Sequence, residues 1–366
     1  MKHLRILSKL FIIASLINNS ALVIAQPYYS FDARSMGMGG SSVASTKLAN
    51  AAYSNPALVS QPVGNDSVQL LLPVIGVNVN DSEGFINDIR EFNDAYDALD
   101  SATAASVLAR SIGKPLTIQA YAGSAIGFAV DKKALVFIYN KQFIGDFRTR
   151  SSPLVVDATL EGRGLEITQV GFAAALYLGD NFKLGITSKI VSVNSYDYFE
   201  LLIDVAAGTT ILDQNTGKRV HDSYINFDIG SAYDFNNGFV FGLVVRNIES
   251  KEFTSIFGNK IKLQPLMRAG LAYNSEYFTI AADMDLSENN AIAYGKKSKL
   301  MTVGAELNLF DWVAIRLGHQ QNIASATDQS LNSIGFGFTP FGVGLDIALM
   351  GSQYAGAVSA QLSFIF

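Results

Sequence analysis

Cysteine is absent from all 366 residues. That excludes a disulfide framework, a thiol nucleophile, a CxxC redox centre and an acylated lipobox cysteine. Histidine is nearly absent, with three in the chain, so imidazole for acid–base work or metal binding is scarce. Charged residues make up only 16% of the sequence, and the mean hydropathy is +0.23. Such a chain is too apolar for an ordinary soluble protein. Yet beyond the N-terminus no run of 18 apolar residues occurs, so helical membrane spans are unsupported. An apolar chain without helical spans points to a closed barrel, which satisfies every backbone polar group within lipid.

The N-terminus reads as an export signal over residues 1–25. Lys2, Arg5 and Lys9 form a basic start, Leu10 to Leu16 an apolar run, and Val23 and Ala25 precede a cleavage at Gln26. Its removal takes away three basic side chains and no acidic ones, moving the formal charge from −5 to −8. A net acidic chain without a basic tract argues against a nucleic-acid partner.

From Val68 onward, period-two alternation marks strands joined by tight polar turns. The pairs are Thr117–Val130 with Lys133–Lys141, Glu166–Leu178 with Phe182–Val193, and Tyr224–Asp234 with Gly238–Ile248. They continue as Pro265–Tyr273 with Tyr277–Leu286, Leu300–Leu309 with Trp312–Gln320, and Asn332–Thr339 with Gly342–Met350. Val68–Val79 opens the series and Gly356–Phe366 closes it. Longer connections, near 147–164, 196–222, 249–263, 287–298 and 321–330, alternate strictly with the turns. The sequence therefore predicts an all-β fold, a 14-stranded antiparallel transmembrane β-barrel over 68–366 with free loops at one end. A soluble β-sandwich is the competing architecture, and nothing in it would enforce that alternation.

Strand faces separate by polarity. In Leu300–Leu309, Met301, Val303, Ala305 and Leu307 oppose Thr302, Gly304, Glu306 and Asn308. A charge facing lipid at mid-bilayer costs roughly 2–4 kcal/mol, so charges belong inside. Parity assigns Asp228, Arg246, Arg268, Asp283, Glu306, Arg316 and Asp346 to the lumen. Neutralisation of one another across neighbouring strands is preferred there over a substrate site. The chain ends on an alternating aromatic strand with Phe364 and Phe366 on one face, which resembles the signal read by the bacterial barrel-assembly machinery.

Two segments are not strand-like. Residues 26–67 contain Met36-Gly37-Met38-Gly39-Gly40, a stretch for tight turns and close packing, and a short helix expected in 45–52 that stops before Asn55-Pro56. This stretch is placed to fold into the lumen as a plug. In the insertion 84–111, Phe85, Ile89, Phe92, Tyr96 and Leu99 recur at helical spacing, and Ser101 is the expected cap of a second helix ending before Gly113. A helical hairpin on the barrel rim, or a gate or partner-binding surface, would both explain it.

Phe31-Asp32-Ala33-Arg34-Ser35-Met36-Gly37-Met38-Gly39-Gly40, followed by Asn55-Pro56-Ala57, resembles the opening of FadL-superfamily barrels. With the acidic helical insertion, the chain is most similar to the TraF-like branch, named for F-plasmid conjugal transfer. The resemblance implies an outer-membrane location and a plug holding Arg34, Gly37, Gly39, Gly40, Asn55, Pro56 and Ala57. It also implies carriage of hydrophobic molecules that leave sideways through the wall. The expected contacts are outer-membrane lipid, the assembly machinery, a hydrophobic small-molecule ligand or an envelope protein partner, with no cofactor. A structural role in a secretion or conjugal-transfer apparatus is the alternative. Enzymatic activity is not expected. His221 lies beside Asp222 and Ser223, but neighbours on extended chain point apart, and no HExxH accompanies His221 or His319.

Overall fold

The computed structural model describes residues 32–61, 68–81, 83–130, 133–150, 158–201, 219–310, 312–325, 328 and 330–366. The export signal, the Asp131-Lys132 turn and parts of several loops lie outside the described residues. Helix α1 (Ala33–Gly37), helix α2 (Leu48–Ala51) and a 3-10 turn (Pro56–Ser60) precede the first strand.

The barrel begins with β1 (Val68–Asn80), β2 (Pro115–Val130), β3 (Lys133–Arg150), β4 (Thr159–Leu178), β5 (Phe182–Leu201), β6 (Val220–Asp234) and β7 (Phe239–Arg246). A separate hairpin of β8 (Lys251–Thr254) and β9 (Lys260–Leu263) intervenes. The barrel resumes with β10 (Leu266–Asn274), β11 (Phe278–Asp285), β12 (Leu300–Leu309), β13 (Val313–Asn322), β14 (Leu331–Phe338), β15 (Val343–Gly351) and β16 (Ala355–Ile365). Fourteen strands close into one cylinder, with β1 antiparallel to β16 through Val77 and Val358. No described helix is long and apolar enough to cross a membrane.

Alternation sets the wall. On β14, Ile334, Phe336 and Phe338 face out; on β13, Ile315 and Leu317 do. The same belt runs around β6 as Ile225, Phe227 and Ile229. Above it sit polar outward residues, including Lys141, Asn194, His221 and His319. Below it, at the short-turn end, Phe235, Tyr277, Phe310, Trp312 and Phe341 project outward, with Phe341 fully exposed. At ~3.3 Å per residue and a tilt of about 35–45°, the belt is roughly 20–25 Å tall. That height and its aromatic border match the hydrocarbon band of a membrane barrel.

Several expectations need correction. β3, β4 and β5 extend well beyond their expected ends at Lys141, Glu166 and Val193, reaching Arg150, Thr159 and Leu201. They therefore stand above the membrane belt. The stretch expected as a plain loop at 249–263 contains the β8–β9 hairpin. The alternation of long and short connections breaks once, because only Ser352 to Tyr354 separate β15 from β16.

The insertion after β1 forms helix α3 (Phe85–Asp97) and helix α4 (Ser101–Ser111). Asp100, rather than Ser101, caps α4 by accepting from Thr103 N at 3.1 Å. Asp81 accepts from Phe85 and Ile86 and anchors the first turn of α3. The hairpin buries Phe85, Phe92, Val107 and Leu108 against Leu116, Leu160, Ile118 and Phe147, outward residues of the extended strands. It lies on the outer wall rather than over the mouth.

Candidate functional site

Residues 32–61 occupy the barrel interior. Met38, Leu48 and Leu58 are wholly buried, each contributing about 1.5–3 kcal/mol of transfer free energy. They fit because the wall facing them is built from small residues. A Cβ on Gly304 would strike Met38, one on Gly242 the Val43 carbonyl, one on Gly185 the Pro56-Ala57 backbone, and one on Gly230 the Asn55 side-chain oxygen. Gly304 pairs with Gly318, Gly242 with Gly270 and Gly185 with Gly230. The result is a collar of glycine at the height of the plug.

The motif residues meet that collar. Gly37 has the Gly335 Cα 3.0 Å from where its own Cβ would stand. Gly39 has φ +69 and lies against the His319 backbone, so its left-handed conformation and lack of side chain are both required. Its N–H donates to Ser333 Oγ at 2.9 Å, and that hydroxyl donates to the Gly37 carbonyl at 2.9 Å. Gly40 also has positive φ, at 96. Asn55 Oδ1 accepts from Ala57 N at 3.0 Å, opening the Pro56 turn, while its amide donates to the carbonyls of Val43 and Ser231.

Three ionic clusters surround this core, and they hold all seven lumen charges derived from parity. The first is continuous with the plug. Arg34 grips Glu306 with two bonds of 2.8 and 2.9 Å, and Arg316 reaches the same carboxylate at 2.6 Å and Asp346 at 2.5 Å. Gln361 then joins Asp346 to Asn50 of α2 and accepts from Ala33 N at 3.3 Å. In the second, Asp228 takes Lys189 at 2.8 Å, Asn247 N at 2.7 Å and Arg246 at 3.9 Å. In the third, Arg268 lies 3.6 Å from both Asp283 and Asp285, while Asp283 Oδ2 accepts from Ser42 N and Val43 N at 2.7 and 3.0 Å. Buried charges left single would be costly; here opposite signs are adjacent throughout. Parity missed Lys189 and Asp285, whose strands carry apolar residues on both faces or end at a boundary.

Two further plug residues were not singled out from the sequence, although Asp32 lies within the Phe31–Gly40 motif. Asp32 caps α1 through Ser35 N at 2.9 Å. Tyr53 donates to the Ser124 carbonyl at 2.6 Å. That carbonyl lies beside the register shift between Leu71 and Val74, where Pro73 has no N–H to offer.

The lumen retains space along β1 and β2. A polar vestibule of about 80 Å³ is lined by Asn78, Asp146, Lys296, Gln320 and Asn322. Beneath it, a space of about 20 Å³ shares Asn78 and Gln320 and adds Gln119 and Tyr121. On the lipid side a groove of about 400 Å³ runs over Ile75, Val77, Ala120, Ala122 and Val358, and it shares Tyr121. The Tyr121 ring lies on Gly76, and its hydroxyl bonds Ser359 Oγ at 2.9 Å.

Neither histidine assembles a catalytic group. His221 pairs with Asn194 and His319 with Asn332, each at 2.9 Å on the outer face. Among the described residues no cluster of three His, Asp or Glu could hold a metal. Phe364 is half-buried on the final strand, and Phe366 is exposed at its end.

A lipid belt, a charge-neutral interior and an internal plug define a plugged transmembrane barrel. Solved structures share this fold. A Pseudomonas aeruginosa FadL homologue is 10% identical, with a TM-score of 0.60 over 94% of this chain and 99% of that one. The Ralstonia pickettii toluene transporter TbuX is 12% identical, at 0.54 over 92% and 98%. The Pseudomonas putida toluene transporter TodX is 13% identical, at 0.52 over 92% and 97%. No curated protein matches the sequence. A family described as "F plasmid transfer operon, TraF, protein" matches residues 52–285. The chain belongs to that family.

Proposed function

We propose that this protein is an outer-membrane channel that passes hydrophobic or amphiphilic small molecules sideways into the membrane. The observation carrying this reading is Tyr121, which borders both the innermost luminal space and the apolar groove outside. The plug seals the axis, so a solute entering from above has its open space along β1 and β2. There the wall is interrupted at Leu72-Pro73 and faced by small outward residues. The likeness to toluene transporters and to a monoaromatic hydrocarbon channel supports the same reading. Residues 1–25 serve as export signal and residues 26–67 as plug. Phe364 and Phe366 present the assembly signal, and the apolar belt contacts outer-membrane lipid.

Uptake of toluene and of a long-chain fatty acid, measured in cells with and without the protein, tests this. The protein should raise uptake of at least one, and Tyr121→Ala should raise it several-fold further. Equal uptake with and without the protein for every apolar solute would reject the reading.

The helical hairpin favours a second reading, a structural role in an envelope secretion or transfer apparatus. Its two helices are tied together through Asp88 with Arg110 and Lys114, while Glu91, Asp94, Asp97 and the apolar Leu99 are exposed. A stoichiometric partner recovered in mild detergent, and lost when 84–111 is deleted, would support it; a solitary barrel would count against it.

A further inference from the structure

The upper lumen is not polar all round. On β3, β4 and β5 the inward residues Ile144, Leu165, Ile167, Val191 and Val193 are almost completely buried. Ile144 is opposite Leu165 and Ile167 opposite Val193, so they form one continuous apolar patch. Polar-inside alternation fails there for a reason: Phe253, Ile261 and Leu263 of the β8–β9 hairpin pack into the patch.

That hairpin is a sheet of its own, with no ladder to the barrel. Its tip is held by one carboxylate, since Asp197 accepts from Phe257 N at 3.0 Å and from Asn259 Nδ2 at 3.4 Å. Its base carries the Lys251 to Asp222 ion pair at 3.2 Å. Ile144 and Ile292 belong both to the apolar cluster and to the lining of the vestibule. Lifting the hairpin would therefore open the patch directly onto the path towards Tyr121.

We propose that the inner face of β3–β5 is a binding site for an uncharged aromatic or short alkyl molecule, and that Phe253, Ile261 and Leu263 occupy it until such a ligand displaces them. The patch itself is aliphatic, and the cations that flank it, Arg163 and Lys189, are held by Asp197 at 3.3 Å and Asp228 at 2.8 Å, so neither serves an anionic head, which sets the ligand class. Binding of this kind needs the hairpin to give up three buried side chains while the ligand supplies equivalent apolar contact. The exchange is close to balanced, and the cover is thereby displaceable. This inference rests on the channel reading and adds its ligand site.

The test is photolabelling of the full-length barrel in lipid nanodiscs with a phenyl diazirine, mapped by peptide mass spectrometry. Lipid-dissolved probe will mark outward residues such as Val170 and Ile190 in every sample. Phe253→Ala/Ile261→Ala/Leu263→Ala vacates the site, and Asp197→Asn loosens the tip while also weakening the pairing of Asp197 with Arg163. Both should raise labelling of Ile167 and Val193 several-fold above wild type, the first more than the second, with excess toluene competing it away. Labelling confined to outward residues in both folded variants would overturn the site. Because the readout is binding, a channel that still conducts toluene without inward labelling would refute this inference and spare the channel reading. Inward labelling without cellular uptake would do the reverse.

Discussion

At the scale of single residues, the interior is governed by desolvation. Glu306 serves two guanidinium groups, Arg34 from the plug and Arg316 from the wall. Removing one partner of a buried pair typically costs about 3–5 kcal/mol, because the other is left charged and dry. Glu306→Ala strands Arg34 as a cation and leaves Arg316 with Asp346 alone, so it should free the plug more than Arg34→Ala, after which Glu306 still holds Arg316. Hydrogen exchange of amides 33–58 measures this; equal protection in the two variants would contradict it. The collar makes a steric counterpart. Gly304→Val must displace Met38, whose backbone oxygen lies in the way, whereas Ala305→Val on the neighbouring lipid face meets no plug atom. The first should raise single-channel conductance in planar bilayers and the second leave it unchanged. Glu306 and Arg316 were assigned to the lumen by parity, since only the inward face tolerates them, whereas Arg34 came with the family resemblance. Tyr121 and Tyr53 were not legible, because their roles come from cavities and a freed carbonyl that no local pattern encodes.

At the scale of elements, the helical hairpin is an accessory held by caps and ion pairs. Hydrogen bonds from the Thr103 hydroxyl and backbone hold the Asp100 carboxyl below its ordinary pKa of 3.8. A depressed carboxylate contributes stability that is full above the unfolded value and is lost as pH falls through the folded one. The Thr103 amide shift, followed by NMR in detergent, should titrate with a midpoint below 3.8; a midpoint at or above it would contradict the cap. Helical spacing exposed both helices in the sequence, but the cap was misplaced by one residue, and Leu99, counted on the apolar face, lies past the end of α3 with φ 58 and its side chain exposed. The lengths of β3–β5 were harder to read. Above Lys141 the outward positions include Gly145, Gly162 and Gly164, while the inward ones mix Ile144, Leu165 and Val193 with Asp146 and Arg163. Two-sided alternation disappears there because the outer face meets the helices and the inner face meets β8–β9, not lipid and water.

At the scale of the whole molecule, one cylinder carries three different environments. Its middle is apolar outside and charge-neutral inside. Its lower lumen is filled by the plug against glycine. Its upper part, above the apolar belt, is apolar within along β3–β5, where a hairpin covers it, and polar at the vestibule. The continuous thread through these layers is the sequence of spaces from the vestibule to Tyr121 and the lipid-facing groove. The measurement that tests it most directly is a crystal structure of the full chain soaked with a brominated arene, with bromine located by anomalous scattering. Peaks on both sides of Tyr121, in the luminal space and in the groove, are the expected result. Bromine found solely in the detergent belt, with the lumen empty in soaked crystals of the open Tyr121→Ala variant, would contradict the proposed lateral path.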